Sequence, residues 1–395
     1  MKPKVALLTD INFWDENSGG PTRISKLVSY LSKHTDLVVI YGNLKGTNDS
    51  SVLSECYEGV YVHYLSPDIR KENVEYIQLM QTYLLDHPVD VCILEYLAST
   101  FILDYLPIGL PVILDSHDLV SDLNNSFSQY NVPCGKINVI SIEDEIALYN
   151  RYDYVMMIQQ NEYQKVQPFI GRKALLTPHP VTYTQVTIQQ KATRVGFVAS
   201  ATNPNLDAIV WFIRNVWPSV YRPGLSLNLF GAICDMLRYN DLSDKRMTWL
   251  STIEENFPGI TQFYQSRSLD IEAQPGVILH DYLPNRDQIY TQVDVVINPV
   301  RFGSGLKIKN VEALGYGLPL LTTTHGACGL ETHVGEALLV ADQPADFAQQ
   351  LSRLLAGYPL RKAVGQAAYQ LARSEFSPDA CFGPLLAAIQ TLQRA

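Results

Sequence analysis

A chain of 395 residues exceeds what one hydrophobic core comfortably organises, so two domains of roughly 180 to 200 residues are expected. Hydrophobic residues make up 47% and charged residues 18%, a globular composition that excludes a disordered chain. The net charge is −10, with 13 basic against 22 acidic residues up to position 180 and 17 against 18 beyond it. That balance offers no basic face for nucleic acid and disfavours a polybasic patch for anionic lipid.

In chain order, MKPKVALLTD opens with a strand at 4–9. It lacks the apolar stretch and cleavage site of an exported chain, and nowhere do about 18 apolar residues run together. A cytoplasmic protein without a strong membrane signal is therefore expected. Ser18-Gly19-Gly20 forms a permissive turn before a helix starting at Pro21, a favoured first-turn residue, with Ile24, Leu27, Val28 and Leu31 on one face. Further strands are expected at 37–42, 60–64, 90–95, 111–115, 153–158 and 174–178. Glu143, Asp144 and Glu145 open a helix, where the macrodipole favours acids, and do not read as paired acid/base carboxylates.

The polar, weakly periodic stretch 179–193 reads as a linker. A second α/β series follows, with strands at 195–200, 226–231, 276–280, 294–299, 318–323 and 337–341, and helices at 204–217, 307–316 and 344–355. Residues 232–275 form a long mixed connection without a readable purpose. Terminal helices at 361–375 and 378–393 flank Phe376-Ser377-Pro378. Alternating strands and helices indicate parallel sheets. The domains are drawn as 1–180 and 181–375, with a helical segment 376–395 packing back toward the first domain. Cys56, Cys92, Cys134, Cys234, Cys328 and Cys381 lack CxxC spacing and read as structural thiols in a reducing compartment.

The most informative run is VVINPVRFGSGLKIKNVEALGYGLPLLT, 295–322. A buried strand ends at Asn298-Pro299, a glycine loop Gly303-Ser304-Gly305 follows, and a helix begins near Leu306 and Lys307. A helix N-terminus behind glycines offers unpaired N–H groups and a positive dipole end to an anion. Ile308, Val311 and Leu314 share the buried face. Glu312 lies at its edge, where a carboxylate suits ribose hydroxyls. A tight turn with solvated lysines is the blander alternative.

The run GSGLKIKNVEALGYGLP resembles the donor-binding segment of retaining family 4 glycosyltransferases, the glycosyl transferases group 1. Gly196-Phe197-Val198 followed by NPNLDAIVWF, and LHDYLP (279–284) ahead of Tyr290 and Asp294, resemble the same family. The resemblance implies the GT-B fold, α/β with two Rossmann-like domains facing across a donor-binding cleft. It implies donor contacts from Gly19, Gly20, Tyr282, Arg301, Gly303, Ser304, Gly305, Leu306, Lys307 and Glu312. It implies a catalytic set of His117, Arg301 and Lys307, with His117, in Asp115-Ser116-His117-Asp118, facing the donor sugar. The remaining histidines read as structural or solvated. The donor is a nucleotide-diphosphate sugar acting as co-substrate; no cofactor and no metal is called for, and the acceptor is a carbohydrate or other hydroxyl.

Two departures stand out. Ser304 occupies the place of the first glutamate of the family's E-x7-E arrangement, and 199–205, ASATNPN, lacks the usual basic pair. Arg301 and Lys307 are expected to neutralise the diphosphate instead, while Lys309, deeper in the helix, is expected to pair with Glu312. Acceptor choice is expected in the loops around 118–137. The competing readings are a catalytically silent nucleotide-sugar-binding protein and a GT-B sugar-nucleotide epimerase or phosphorylase.

Overall fold

The computed structural model describes residues 2–16, 18–42, 60–65, 73–133, 139–239 and 244–393. Cys56 and Cys134 lie outside them. Two all-parallel sheets organise the chain. The first contains β1 (Lys4–Thr9), β2 (Asp36–Gly42), β3 (Tyr61–Leu65), β4 (Val91–Glu95), β5 (Val112–Asp115), β6 (Tyr154–Met157) and β7 (Ala174–Leu176). Its spatial order is β3-β2-β1-β4-β5-β6-β7. The second contains β8 (Arg194–Val198), β9 (Ser226–Phe230), β10 (Val277–Leu279), β11 (Val295–Asn298), β12 (Leu320–Thr322) and β13 (Leu339–Val340), ordered β10-β9-β8-β11-β12-β13. Each reverses strand order beside its first strand, the doubly wound arrangement whose ligand crevice lies at the carboxyl ends of the strands.

The strands form because they are apolar runs covered on both faces. In β1, Val5, Ala6, Leu7 and Leu8 are all fully buried. Helix α1 (Gly19–His34) begins two residues before Pro21 and buries Ile24, Leu27, Val28 and Leu31. Next come α2 (Val74–Asp86), α3 (Val120–Gln129), α4 (Ile142–Tyr149) and α5 (Gln160–Ile170). The acidic first turn of α4 is capped by the Ser141 hydroxyl, which accepts from the Asp144 N–H at 3.1 Å. Glu145 is buried there and accepts from the Tyr149 hydroxyl.

In the second sheet, Val195, Phe197, Leu227, Leu229, Val295 and Ile297 form the core with Leu206, Ile209 and Ile213 of α6 (Asn203–Asn215). The stretch 232–275, unreadable from sequence, contains α7 (Ile233–Arg238), α8 (Asp244–Ile253) and α9 (Ile260–Ser266). Leu250, Phe263 and Tyr264 from it complete the core. Glu254 caps α9 by accepting from the Gly259 and Thr261 N–H groups. Further along come α10 (Arg286–Tyr290), α11 (Ile308–Gly315), α12 (Pro344–Ala356), α13 (Tyr358–Glu375) and α14 (Pro378–Leu392), in addition to a single turn at Trp217–Val220.

The chain divides into two compact units. One comprises residues up to Leu119, Ser141–Pro180 and the segment from Pro378 on; the other comprises Val120–Ile140 and Val181–Ser377. Helix α3 thus groups with the second sheet, unlike the 1–180 division, because its aromatic side chains pack there: Phe127 meets Phe302 edge-on at 5.4 Å and Tyr130 stacks on it at 5.1 Å. The described part of 118–137 beyond Leu119 is therefore not a set of loops on the first sheet. Phe376 and Ser377 stay with the second unit, and α14 packs on α1 within the first.

The stretch read as a linker is also bound. From Val181 it runs against the second unit, the Thr184 and Val186 N–H groups donating to the carbonyls of Gly315 and Tyr316. Fully buried Arg361 secures it further. Nη2 donates to the carbonyls of Gln189 and Gln190, while Nη1 donates to those of Leu354 and Leu355 at the end of α12. A buried carbonyl left without a donor costs about 1–3 kcal/mol. Arg361→Met is accordingly expected to lower the stability of the second unit by about 2 kcal/mol or more. Urea unfolding followed through Trp211, Trp217 and Trp249 measures it; an unchanged midpoint would show that Arg361 holds nothing in place.

Candidate functional site

At the crevice of the second sheet, the turn after β8 and the loop after β11 lie side by side, because those strands pair. The loop is glycine-dependent: Gly303 has φ 125° and Gly305 φ 65°, in the left-handed half of backbone space. The Gly303 N–H donates to Ser126 Oγ of α3 at 2.8 Å. A side chain at Gly303 would come within 4 Å of both Pro204 in the first turn of α6 and His325 Nε2. Neither α6 nor α11 has a side-chain hydrogen bond from its N-cap residue, Thr202 and Lys307 respectively. Two helix N-termini without side-chain caps and a glycine loop therefore meet at one strand end, a setting that attracts anions.

Lys307 opposes positive charge on two neighbouring basic groups, Lys309 and His325. Lys307 Nζ lies 2.9 Å from the carbonyls of both Ser304 and Gly305, bracing the loop. Lys309 Nζ donates to Asn205 Oδ1 at 2.5 Å and sits 4.8 Å from the centre of the Phe197 ring. Burial, then the charge of Lys307, push Lys309 down to about 7, against a smaller upward pull from Glu312. The same two causes push His325 down to about 4. Its Nε2 is buried without a hydrogen-bond partner. Sequence reasoning placed His325 among the structural or solvated histidines; its position just past the carboxyl end of β12 was the available signal.

Buried asparagines, also missed from sequence, set these loops. Asn298 at the end of β11 donates to Asn310 Oδ1 at 2.8 Å, and Asn310 donates to the Gly326 carbonyl at 2.7 Å. Gly326 must lack a side chain, since a Cβ there would lie 2.0 Å from Thr322 Oγ1. His325 is held against the glycine loop by this network.

Other expected donor contacts are disposed differently. Arg301 forks onto Asp207 of α6, Nε to Oδ2 at 2.9 Å and Nη2 to Oδ1 at 2.8 Å, and Arg267 of the 232–275 stretch holds the same carboxylate. It does not present an open fork, because Asp207 is almost wholly buried and needs a countercharge. Glu312 does not pair with Lys309. Its two oxygens accept from Arg286 Nε at 3.0 Å and the Tyr290 hydroxyl at 2.8 Å. Leu306 is buried, Ser304 is partly exposed in the loop, and Tyr282 is 41% exposed between β10 and α10.

In the first unit the crevice lies where β1 and β4 adjoin. Gly19 and Gly20 form the first turn of α1, and a Cβ on Gly20 would lie 2.1 Å from the Tyr96 hydroxyl, so that ring packs directly on backbone. Tyr96 (φ 65°) and His117 (φ 61°) both hold strained left-handed backbones and stack at 3.9 Å. His117 is buried, with Nε2 2.6 Å from Glu95 Oε2 at the end of β4. Asp115 Oδ2 is 3.9 Å away. Fully buried Arg23 forks onto Asp115 through Nε and Nη2.

Glu95, Asp115 and His117 bring three potential metal-ligand atoms within 4.8 Å of one another. They do not fit a cation, because the Arg23 guanidinium already neutralises Asp115 and would be forced from its buried position. Burial, and then the Asp115 charge, raise Glu95, against His117 and Arg23. Burial opposes the His117 imidazolium, but Asp115 and the hydrogen bond and charge of Glu95 outweigh it, so His117 is raised above the ordinary histidine value. Neither Glu95 nor Arg23 was selected from sequence, since each acquires its meaning only from residues far along the chain.

Residues 192–357 match the family described as Glycosyl transferases group 1, and the chain has the GT-B fold of glycosyltransferases of known structure. One such structure is HepE of Anabaena in complex with UDP and glucose: TM-score 0.63 and 13% identity, covering 98% of this chain and 100% of that one. Another is sucrose-phosphate synthase of Thermosynechococcus elongatus, with TM-score 0.67, 12% identity and coverage of 100% and 98%. WaaG, a glycosyltransferase involved in lipopolysaccharide biosynthesis, aligns with TM-score 0.61 and 15% identity over 97% of this chain and 98% of its own. In sequence, an uncharacterized 44.6 kDa protein in the cps region of Klebsiella pneumoniae is 22% identical over 204 residues, 51% of this chain. The match spans 46% of that relative's length, about half. No helix among the described residues is long and apolar enough to cross a membrane.

The buried pair gives a signed prediction. Glu95 and His117 both bind protons more tightly folded than unfolded, so the stability they contribute is present at low pH and lost as pH rises through their folded values. The thermal midpoint of the first unit should therefore fall as pH increases from about 5 to 8, and fall less in Glu95→Gln. Nuclear magnetic resonance of His117 should show titration above the ordinary histidine value, shifted down in that variant. A wild-type His117 titrating at or below the ordinary value would contradict the pairing.

Proposed function

We propose that this chain is a glycosyltransferase, hexosyltransferase-like, that moves a sugar from a nucleotide-diphosphate donor to an acceptor hydroxyl, retaining anomeric configuration. The observation that carries this reading is the gathering of Lys307, Lys309 and His325 around a glycine loop and two helix N-termini without side-chain caps. Ammonium groups and helix N-termini converging on a glycine loop suit an anion such as a diphosphate. The family match over the same residues supports the nucleotide sugar as the ligand. HepE, of the same fold, binds UDP and glucose. The cps-region relative and WaaG support a role in polysaccharide or related glycan assembly, with a carbohydrate acceptor.

The chemical task is to stabilise a departing diphosphate while an acceptor hydroxyl approaches the anomeric carbon. The backbone N–H groups around Ser304, Gly305 and Leu306 and the N-terminus of α11 supply fixed dipoles. Glu312, oriented by Arg286 and Tyr290, retains lone pairs for ribose hydroxyls. Arg301 acts through Asp207 on the position of α6 rather than as a direct phosphate ligand. His117, charged through Glu95 and Asp115, contributes to turnover rather than nucleotide affinity. None of these roles calls for a metal.

Ser304, standing where the family has its first glutamate, favours one second reading: a nucleotide-sugar-binding protein without transfer activity. Incubation with UDP-, GDP- and ADP-sugars separates the two readings from each other and from an epimerase. A transferase glycosylates an acceptor or slowly hydrolyses one donor, an epimerase changes the sugar, and a binding protein leaves it intact. His117→Ala is expected to lower turnover at least about tenfold, the low end for loss of a positioned acid–base or electrostatic group, with nucleoside-diphosphate affinity nearly unchanged. An unchanged turnover number would remove His117 from the reaction.

A further inference from the structure

We propose that Lys309 is the principal diphosphate-binding cation of this chain, reaching across from α11 to the turn after β8; the inference rests on the nucleotide-diphosphate reading and names the group that carries its charge. The turn itself, Ala199-Ser200-Ala201-Thr202-Asn203-Pro204-Asn205, has no basic side chain. Lys309, in the first turn of α11, fills that gap in space, its ammonium bonded to Asn205 in the first turn of α6.

The groups facing Lys309 leave its charge uncompensated. From α6 it meets the Asn205 amide, whose nitrogen is turned away to the Ser200 carbonyl at 3.0 Å. From β8 it meets the Phe197 ring. Along its own segment Lys307 repels it, and Glu312 attracts it with a carboxylate already accepting from Arg286 and Tyr290. From α10, the Tyr290 hydroxyl reaches only the Lys309 backbone carbonyl, at 3.4 Å. A neutral acceptor, an aromatic face and a neighbouring cation do not balance a part-buried ammonium. By contrast, Arg301 has the Asp207 carboxylate and Lys307 braces loop carbonyls.

A diphosphate entering this space would supply the missing anion. It would also restore the proton that is easy to lose where burial and Lys307 push Lys309 down to about 7. Binding above neutral pH should therefore take up a proton at the Lys309 amine. A lysine serving only as packing would not produce that exchange.

Calorimetry at pH 8 with UDP, repeated in two buffers of different ionisation enthalpy, reads the proton uptake directly. The wild-type protein should take up close to one proton per UDP. Lys309→Met should bind UDP about 10- to 150-fold more weakly, the loss corresponding to one charge-assisted hydrogen bond. It should still bind uridine as the wild type does, which also reports that the variant is folded. Lys309→Arg should keep most of the UDP affinity while proton uptake disappears, because a guanidinium is charged throughout. Wild-type affinity and unchanged uptake in both variants would overturn the assignment. If the wild-type protein binds none of UDP, GDP and ADP, the donor reading falls first and the assignment with it.

Discussion

Asp115 ends β5 with no exposure to water, and a carboxylate in that position needs a countercharge at contact distance. Arg23 provides it from one turn inside α1, and the same guanidinium donates to the Thr177 carbonyl just beyond β7. Phe382 of α14 lies under it, 5.7 Å from the guanidinium carbon. One ion pair therefore joins the first helix, the centre and edge of the first sheet, and α14. It also determines the chemistry beside it. The Asp115 charge still acts on both Glu95 and His117, which share a hydrogen bond, and that bond holds His117 as an oriented ring.

The second unit meets the opposite problem. Among its guanidinium–carboxylate pairs, Arg301 and Arg267 on Asp207 and Arg194 on Asp294 fix the frame. Lys309 is held differently: its ammonium is bonded to the neutral side chain of Asn205 rather than to a carboxylate.

Much of the fold was legible because parallel strands buried on both faces are written as uninterrupted apolar runs: VALL in β1, VCIL in β4 and VVI in β11. The glycine loop was legible for a similarly local reason, a strand, two glycines with positive φ and a helix within fifteen residues of sequence. What escaped was long-range. Arg301 and Asp207 are 94 residues apart, and Lys309 and Asn205 are 104 apart. No helical or strand period connects such positions, so neither pairing could be read from the sequence. Helix α3 escaped too, since its aromatic residues say that it is buried but not on which sheet.

The path of the chain carries a consequence for biosynthesis. The first unit is assembled from three separate stretches, and the last of them, containing Cys381, Phe382, Leu385 and Ile389, supplies buried side chains to it. A ribosome that has delivered the first 180 residues has thus made most of this unit but not the helix that closes over Arg23 and Tyr30. At about 5–20 residues per second, that surface waits tens of seconds for its cover. During that interval the nascent unit leaves the apolar side chains that α14 will cover open to water. The second unit, whose segment from Val181 is nearly continuous in sequence, can gather its own core while the first is still waiting.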